Sequence, residues 1–502
     1  MVHWESSLGR SLCDGCRLTR RCLLTAGSAC AGVLWTGFRG LAQPAESASP
    51  QEKDSGTLWA AFVRPDVEKY GLGWPGAVYD VKTRTAEYTQ LLTKTAADLG
   101  ITCHLEAKPL WDDESWEVFV RKLQEAKPVG LILVLQHLDH NVKGLCGKLE
   151  KLAFVPTLVF SQMGTSFHEH FLMIRQLGQR QRLYFASTWD GQWLASAVRI
   201  FYALSEMRQT RICVVQGQAP QDILLESVGV TLRYIPFQRF SEEYAQTKET
   251  EEVRELAERW AKNAEKIIEP SKQEIVEAAK TYVVCQRLMK QTDCQGIAVD
   301  CLPHVSARTA PPPCMAFMQL NDTGVVAACQ ADWPAAISLR LVWLLLGRPG
   351  FMNNMCSSSL NNTMMGAHCS SPIFLAGPGQ APAPYRLRSH AESGWGVAPQ
   401  VIWPTNEKIT ILKFSDPLWS RSPRSGREAA QTIWLAAGQI LRNIDTPPAG
   451  GCRTSMEIQL EGCTDISQMR MLHHMLYVLG DHRDKIRAYC ALAGIQLESL
   501  FG

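Results

Sequence analysis

The sequence predicts an α/β chain, with two Rossmann-like parallel-sheet α/β domains followed by a β-rich C-terminal domain. Three observations carry this. Continuous apolar runs alternate with helically spaced segments from residue 57 to about 185, as expected of a doubly wound sheet whose strands are covered on both faces. A similar alternation resumes near 186 and extends past 300. From about 395 the pattern shifts to short strand-like runs separated by Gly, Pro and Asp. The length of 502 residues agrees with about three domains at ~150 residues each.

The elements follow in order. Residues 57–63 (TLWAAFV) form a short apolar strand, and 83–99 are helical through Tyr88, Leu91, Leu92 and Ala96. Residues 129–135 (VGLILVL) and 155–160 (VPTLVF) are further strands. In the second unit, 191–207 reads as a helix, with strands at 211–216, 230–236 and 296–300. A long charged helical region covers 241–291, broken at Pro270, which lacks an amide hydrogen, and restarted by the capping box Ser271-x-x-Glu274. Its charges over 243–266 read as a solvated helix face. In the third unit, 396–403, 408–414, 432–440 and 454–460 are strand-like, and a last helix is expected near 483–494. The expected domains are 57–185, 186–380 and 381–502.

The N-terminal segment reads as an address. Arg20 and Arg21 precede Leu23 and Leu24, then a weakly apolar stretch to Trp35 and small residues at Ala42 and Ala45. This is the layout of a twin-arginine export signal over 1–45, followed by a linker over 46–56. Export to the periplasm is the expectation. The apolar run falls short of the ~20 residues a membrane-spanning helix needs. Cleavage would remove Cys13, Cys16, Cys22 and Cys30. Cys13-x-x-Cys16 has no second pair at zinc spacing. The other thirteen cysteines stand singly along the chain, which argues against a dense disulfide framework. A formal net charge of +2 leaves no electrostatic footprint for nucleic acid. The first strand is not followed by G-x-G-x-x-G, so no dinucleotide site is predicted.

Residues 321–375 concentrate the chemistry-bearing side chains. In chain order stand Gln330-Ala331-Asp332-Trp333, Phe351-Met352-Asn353-Asn354 and Gly366-Ala367-His368-Cys369. Arg388-Ser389-His390-Ala391-Glu392 and the pair His473-His474 follow. This series resembles the L-fucose and L-arabinose isomerase superfamily, specifically its fucose isomerase-like branch, with the similarity concentrated in about 302–502. The resemblance implies a barrel-like core in the C-terminal domain and a cleft for a small carbohydrate. It also implies a homo-oligomer in which neighbouring subunits complete the sites. Family members isomerise aldoses and ketoses through an enediol, with Mn²⁺ or another divalent metal on the two reacting oxygens and a carboxylate as general base.

Carried onto this chain, the metal positions are Gln330, Asn353, His368 and His474. Gln330, Asn353 and Asp332 hold the catalytic positions, and His390, Glu392 and His473 are candidates for sugar contacts. Two of the expected carboxylates are amides here. An amide offers a neutral oxygen and cannot accept the substrate proton. The expectation is therefore a sugar isomerase-like carbohydrate binder with lost or altered isomerase activity, in which the metal is weakly held or absent. Two alternatives are an active isomerase with rearranged ligands, such as His368 and His474 with Asp332 or Asn354, and a metal-free epimerase or lyase using Asp332, Glu392 or a histidine as base.

Several of these residues also have plain structural readings. Asp332, followed by Trp333-Pro334, has the form of a helix N-cap. His473 and His474 would alternate faces on a strand, so that one of them at most reaches a pocket. His390 and Glu392 would share a side of an extended segment, touching sugar or pairing with Arg386 or Arg388. Asn321-Asp322 before Gly324 reads as a turn, and His168-Glu169-His170 as surface polar residues in place of a metal cluster.

Overall fold

A computed structural model describes residues 56–71, 78–137, 142–416, 431–445, 451–470 and 472–501. The expected export signal and all but the last residue of the expected linker lie outside them. The described residues belong to one compact unit.

The first sheet consists of β1 (Thr57–Val63), β2 (Thr102–Leu105), β3 (Gly130–Leu135), β4 (Thr157–Gln162) and β5 (Leu183–Thr188). All pairings are parallel, in the order β2-β1-β3-β4-β5. Every residue of β3 is buried, because the sheet is covered on both faces. Ile132 and Val134 pack toward Leu92 and Phe201 on one side, and Leu131 and Leu133 toward Phe119 and Leu145 on the other. The helix expected at 83–99 starts two residues earlier, at Val81, because Asp80 caps it by accepting from the Thr83 amide at 3.0 Å.

A second sheet contains β6 (Arg211–Val215), β7 (Gln221–Leu225), β8 (Val230–Ile235), β9 (Gly296–Val299) and β10 (Val326–Cys329). Its order is β10-β9-β6-β8-β7, with four parallel strands and β7 antiparallel at one edge. The charged region 241–291 is three helices, Gln238–Gln246, Glu251–Asn263 and Lys272–Thr292. The capping box forms as expected: Ser271 accepts from the Glu274 amide at 3.2 Å, and Glu274 accepts from the Ser271 amide at 2.9 Å. Not all of the charges are solvated. Glu243 is buried between Arg239 at 2.9 Å and Arg287 at 3.2 Å.

The C-terminal part is a six-stranded antiparallel β-barrel built from β11 (Phe351–Ser358), β12 (Thr363–His368), β13 (Lys408–Ser415), β14 (Thr432–Asn443), β15 (Thr454–Leu460) and β16 (Met475–Leu479). The strands run β13-β16-β11-β12-β15-β14, and the β13–β14 pairing closes the ring. The strand Gln496–Ser499 adds to β14 in parallel outside the ring. Strand alternation divides the side chains. Met352, Leu412, Phe414, Leu476 and Val478 face outward and pack with the helix Trp333–Leu346. Phe351, Met355, Met364, Ile409, Ile411, Met456, Ile458, Met475 and Tyr477 form the opposite, inward set. Asn353, His368 and Lys413 have the inward parity.

The sheets relocate two expected boundaries. The break at 185/186 falls inside β5, which belongs to the first sheet. The break at 380/381 falls after β11 and β12, so the barrel takes its first two strands from the expected second domain. Asn321 and Asp322 are not a turn. They end the buried helix Cys314–Asp322. Asn321 exchanges two 3.0 Å hydrogen bonds with the backbone of Ala327, and Asp322 accepts from the amides of Ile373 and Phe374, both at 2.9 Å.

Two outcomes follow from this packing. A Cβ at Gly366 would lie 2.3 Å from the Tyr477 ring and 2.7 Å from Asn353 Oδ1. Gly366→Ala is therefore expected to cost roughly 1–3 kcal/mol by overpacking the barrel interior, read as a lower midpoint in urea. Burial raises the Asp322 carboxyl from 3.8 to about 7, against the two amides that favour its charge. A folded-state value above the unfolded one makes stability greatest below the unfolded value and diminishes it as pH rises to the folded value. Asp322→Asn keeps an acceptor for both amides, and is expected to flatten the stability–pH curve between those two values.

Candidate functional site

Asp332 organises the mouth of the barrel. The turn from β10 into the helix Trp333–Leu346 places Gln330 at φ 55° and Ala331 at φ 50°, both left-handed. Two consecutive non-glycine residues in that region cost about 1 kcal/mol or more each, and such strain is retained where the surroundings dictate it. The turn is pinned by the amide of Ala331 donating to Val299 O at 3.0 Å and that of Asp332 to Cys329 O at 3.0 Å. It delivers Asp332 to the helix start, where Oδ1 accepts from the Ala335 amide at 2.8 Å. The N-cap reading of Asp332 is correct, and it is only part of the residue's role.

Lys413, on the inner face of β13, reaches both oxygens of Asp332, at 2.8 and 2.9 Å. His474 Nδ1 lies 2.9 Å from Asp332 Oδ2. All three groups are buried. Burial opposes ionisation of Asp332, but the Lys413 ammonium and the His474 hydrogen bond outweigh it and hold the carboxyl far below its usual range. Burial likewise lowers Lys413, with Asp332 acting against the shift.

The histidines gather around this pair. His473 and His474 are not on a strand. They occupy the turn leading into β16, with His474 at φ 47°, so both reach the same place. Their rings lie 3.7 Å apart, and the His368 ring is 5.2 Å from that of His474. His473 Nε2 is 3.2 Å from Gln330 Oε1, and His368 Nδ1 is 3.1 Å from Ser370 Oγ. Burial keeps the imidazoles neutral. It is the leading cause of the depression at His474 and at His368, where the neighbouring histidines add to it. His473, exposed at the rim with its ring partly covered by the neighbouring imidazole, is pushed down to about 4 by that partial burial and by His474, and His390 to about 4 by burial and the Arg453 charge.

Asn353 lies one register step beyond the Asn354–Ala367 pair, opposite His368, and opposite Met475 on its other side. Its Nδ2 donates to Phe351 O at 3.0 Å. Its Oδ1, His474 Nε2 and the Tyr477 hydroxyl are buried without a hydrogen-bond partner. Buried polar atoms are nearly always paired, so three such atoms inside one barrel mark a place for a ligand or water.

The remaining candidates separate from one another. His390 is buried and bonded to Ser393 Oγ at 3.0 Å, whereas Glu392 is exposed in the turn that follows. The segment is not extended there, so the two do not act as a pair. Arg388 is bound instead by Glu269 at 2.7 Å, and Arg386 lies near Glu265 and Asp445. His170 is buried in the first turn of the helix His168–Gly178, accepting from the Phe167 amide at 3.1 Å, while His168 and Glu169 are exposed. That cluster is no metal centre. Lys413 and Tyr477 were not anticipated. A lysine in the run Ile409-x-Ile411-x-Lys413, on the apolar parity of a strand, is the signal that would have exposed the first. A buried phenol among apolar neighbours leaves little trace in sequence.

Asp332, His473 and His474 each bring one ligand atom to within 4.8 Å of the others, and could hold a metal ion. The carboxylate, however, is already matched. Oδ1 takes the Ala335 amide and Lys413, and Oδ2 takes Lys413 and His474. An arriving cation would compete with a buried ammonium for that anion. The donors suit a borderline ion that prefers imidazole, and suit Mn²⁺ poorly, because Mn²⁺ favours anionic oxygen. His473 and His474 would be its ligands, with Asp332 orienting His474 from behind.

No protein-family model matches the chain, and no curated protein matches it. Among the described residues, no helix is long and apolar enough to cross a membrane.

Removing Lys413 leaves a buried, uncompensated carboxylate. Lys413→Met is expected to destabilise the fold by about 3–5 kcal/mol, and Lys413→Met with Asp332→Asn to recover much of that loss. Denaturant unfolding of the two variants measures both. The depressed Asp332 carboxyl contributes stability that is present above its unfolded value and lost as pH falls toward its folded one, so the wild type should lose this contribution only in strong acid.

Proposed function

We propose that the mouth of the barrel is a carbohydrate-binding site of isomerase ancestry, in which metal-dependent aldose–ketose isomerisation is lost or much reduced. The observation that carries this reading is the saturation of Asp332 by Lys413, His474 and the Ala335 amide. Gln330 and Asn353 add neutral amides where a dication would need charge. Asn353 Oδ1, His474 Nε2 and the Tyr477 hydroxyl then offer hydrogen bonds to sugar hydroxyls. The same reading takes both α/β units as Rossmann-like, the protein as exported to the periplasm, and the working form as a homo-oligomer.

A second reading rests on the Asp332–His474 dyad. A carboxylate on Nδ1 fixes the imidazole tautomer and leaves Nε2 as the basic nitrogen. Since His474 is neutral, it is in the form that accepts a proton, which suits a metal-free epimerase or lyase acting beside a carbonyl or carboxyl group. Here Lys413 keeps Asp332 ionised.

Calorimetric titration of the purified chain with Mn²⁺, with His474→Ala as control, tests the leading reading together with ketose formation from a panel of five- and six-carbon aldoses. The expected result is no binding heat at about 1 mM Mn²⁺ and no ketose. Tight binding that is lost in His474→Ala, with chelator-sensitive ketose formation, would establish a working isomerase instead. Chelator-insensitive exchange of a sugar C–H with deuterated solvent, abolished in His474→Gln, would establish the second reading.

A further inference from the structure

The thirteen cysteines of the described residues are all free thiols, and five that stand far apart in sequence come together behind the site. Cys301 and Cys329 follow and end the paired strands β9 and β10, where Val299 is opposite Cys329. Cys314 and Cys369 are buried in one small cluster with Ala398, and Cys452 packs against it. Cys329 Sγ is 4.0 Å from Ser370 Oγ, which in turn holds His368 Nδ1. Single placement in the chain therefore concealed a sulfur-rich layer under the barrel mouth.

Within that layer we propose that Cys369 and Cys452 form a redox pair, a reversible modification site that ties the end of β12 to the segment entering β15. The strand register supports it. His368 is opposite Thr454, so Cys369 lies one step past the last ladder pair, and Cys452 two residues ahead of Thr454. The two thiols are in hydrogen-bond contact. The Cys369 sulfur also receives the amides of Arg453 and Ala391. Cys452, half-buried, is the thiol open to exchange with a small disulfide, and buried Cys369 is the one that resolves the mixed disulfide.

These thiols make no metal site, since among the described residues only Asp332, His473 and His474 gather ligand atoms at metal distances. The reaction is thiol–disulfide exchange with a small disulfide. A thiolate on one cysteine attacks the small disulfide, forming a mixed disulfide and expelling one small thiolate. The other protein thiol, losing its proton, displaces the second small thiolate. One protein S–S bond forms, the small disulfide is reduced to two thiols, and no other electron acceptor is needed. Because Cys369 directly follows His368, oxidation would fasten the strand end that carries a site residue.

The test uses the full chain incubated with glutathione disulfide, followed by differential alkylation and peptide mapping. The expected product is a linked Cys369–Cys452 peptide pair, formed with concerted loss of both thiols and reversed by dithiothreitol. The oxidised wild type should also melt at a higher temperature than the reduced form. Cys452→Ser should abolish the link, and Cys314→Ser should leave it intact. Should Cys452→Ser fail to fold, the wild-type map decides the matter alone. Independent alkylation of Cys369 and Cys452 after full exposure, or linkage of Cys301 to Cys329 only, overturns the proposal.

Discussion

The ion pair between Asp332 and Lys413 is the constraint on which the rest of the site depends. A charge buried in this barrel would be costly on its own, and each partner is tolerable only because the other is present. The pair joins two structural units: Asp332 starts the helix that follows the second sheet, and Lys413 comes from the barrel wall. The same carboxylate fixes the ring of His474. One side chain therefore caps a helix, neutralises a lysine and orients an imidazole, which explains why the strained turn at Gln330 and Ala331 is retained.

The same pair sets the chemistry. With its carboxylate matched internally, the mouth of the barrel carries little net charge toward a ligand. The imidazoles of His368, His473 and His474 gather beside this pair, and Asn353 Oδ1, His474 Nε2 and the Tyr477 hydroxyl are buried without a hydrogen-bond partner. Under the proposed reading, such groups would suit sugar hydroxyls better than a hard dication. The thiol layer behind it lies outside the first contact with a ligand but is joined to the site through Ser370 and the backbone of His368.

Much of the secondary structure was legible because the local signals were strong. Runs such as 129–135 had the composition of fully covered strands, and the Ser271–Glu274 capping box formed where the pattern placed it. Failures came where a long-range contact overrode a local cue. Asn321 and Asp322 look like turn residues, yet backbone groups of Ala327, Ile373 and Phe374 satisfy both in the core. The histidine pair looked strand-like, but the positive φ at His474 turns both rings to one side. His390 and Glu392 separated because the chain turns between them.

By itself the sequence determined the order of elements, the change from α/β to β-rich texture, and the short set of polar residues from which a site could be built. Those follow from periodicity, propensity and residue chemistry, which are local properties. Only the tertiary structure decided that Lys413 would neutralise Asp332, that β11 and β12 would close the barrel, and that Cys369 would meet Cys452. Each of these joins positions separated by many residues, and strand register and packing across the fold, properties shared among distant segments, select the partners.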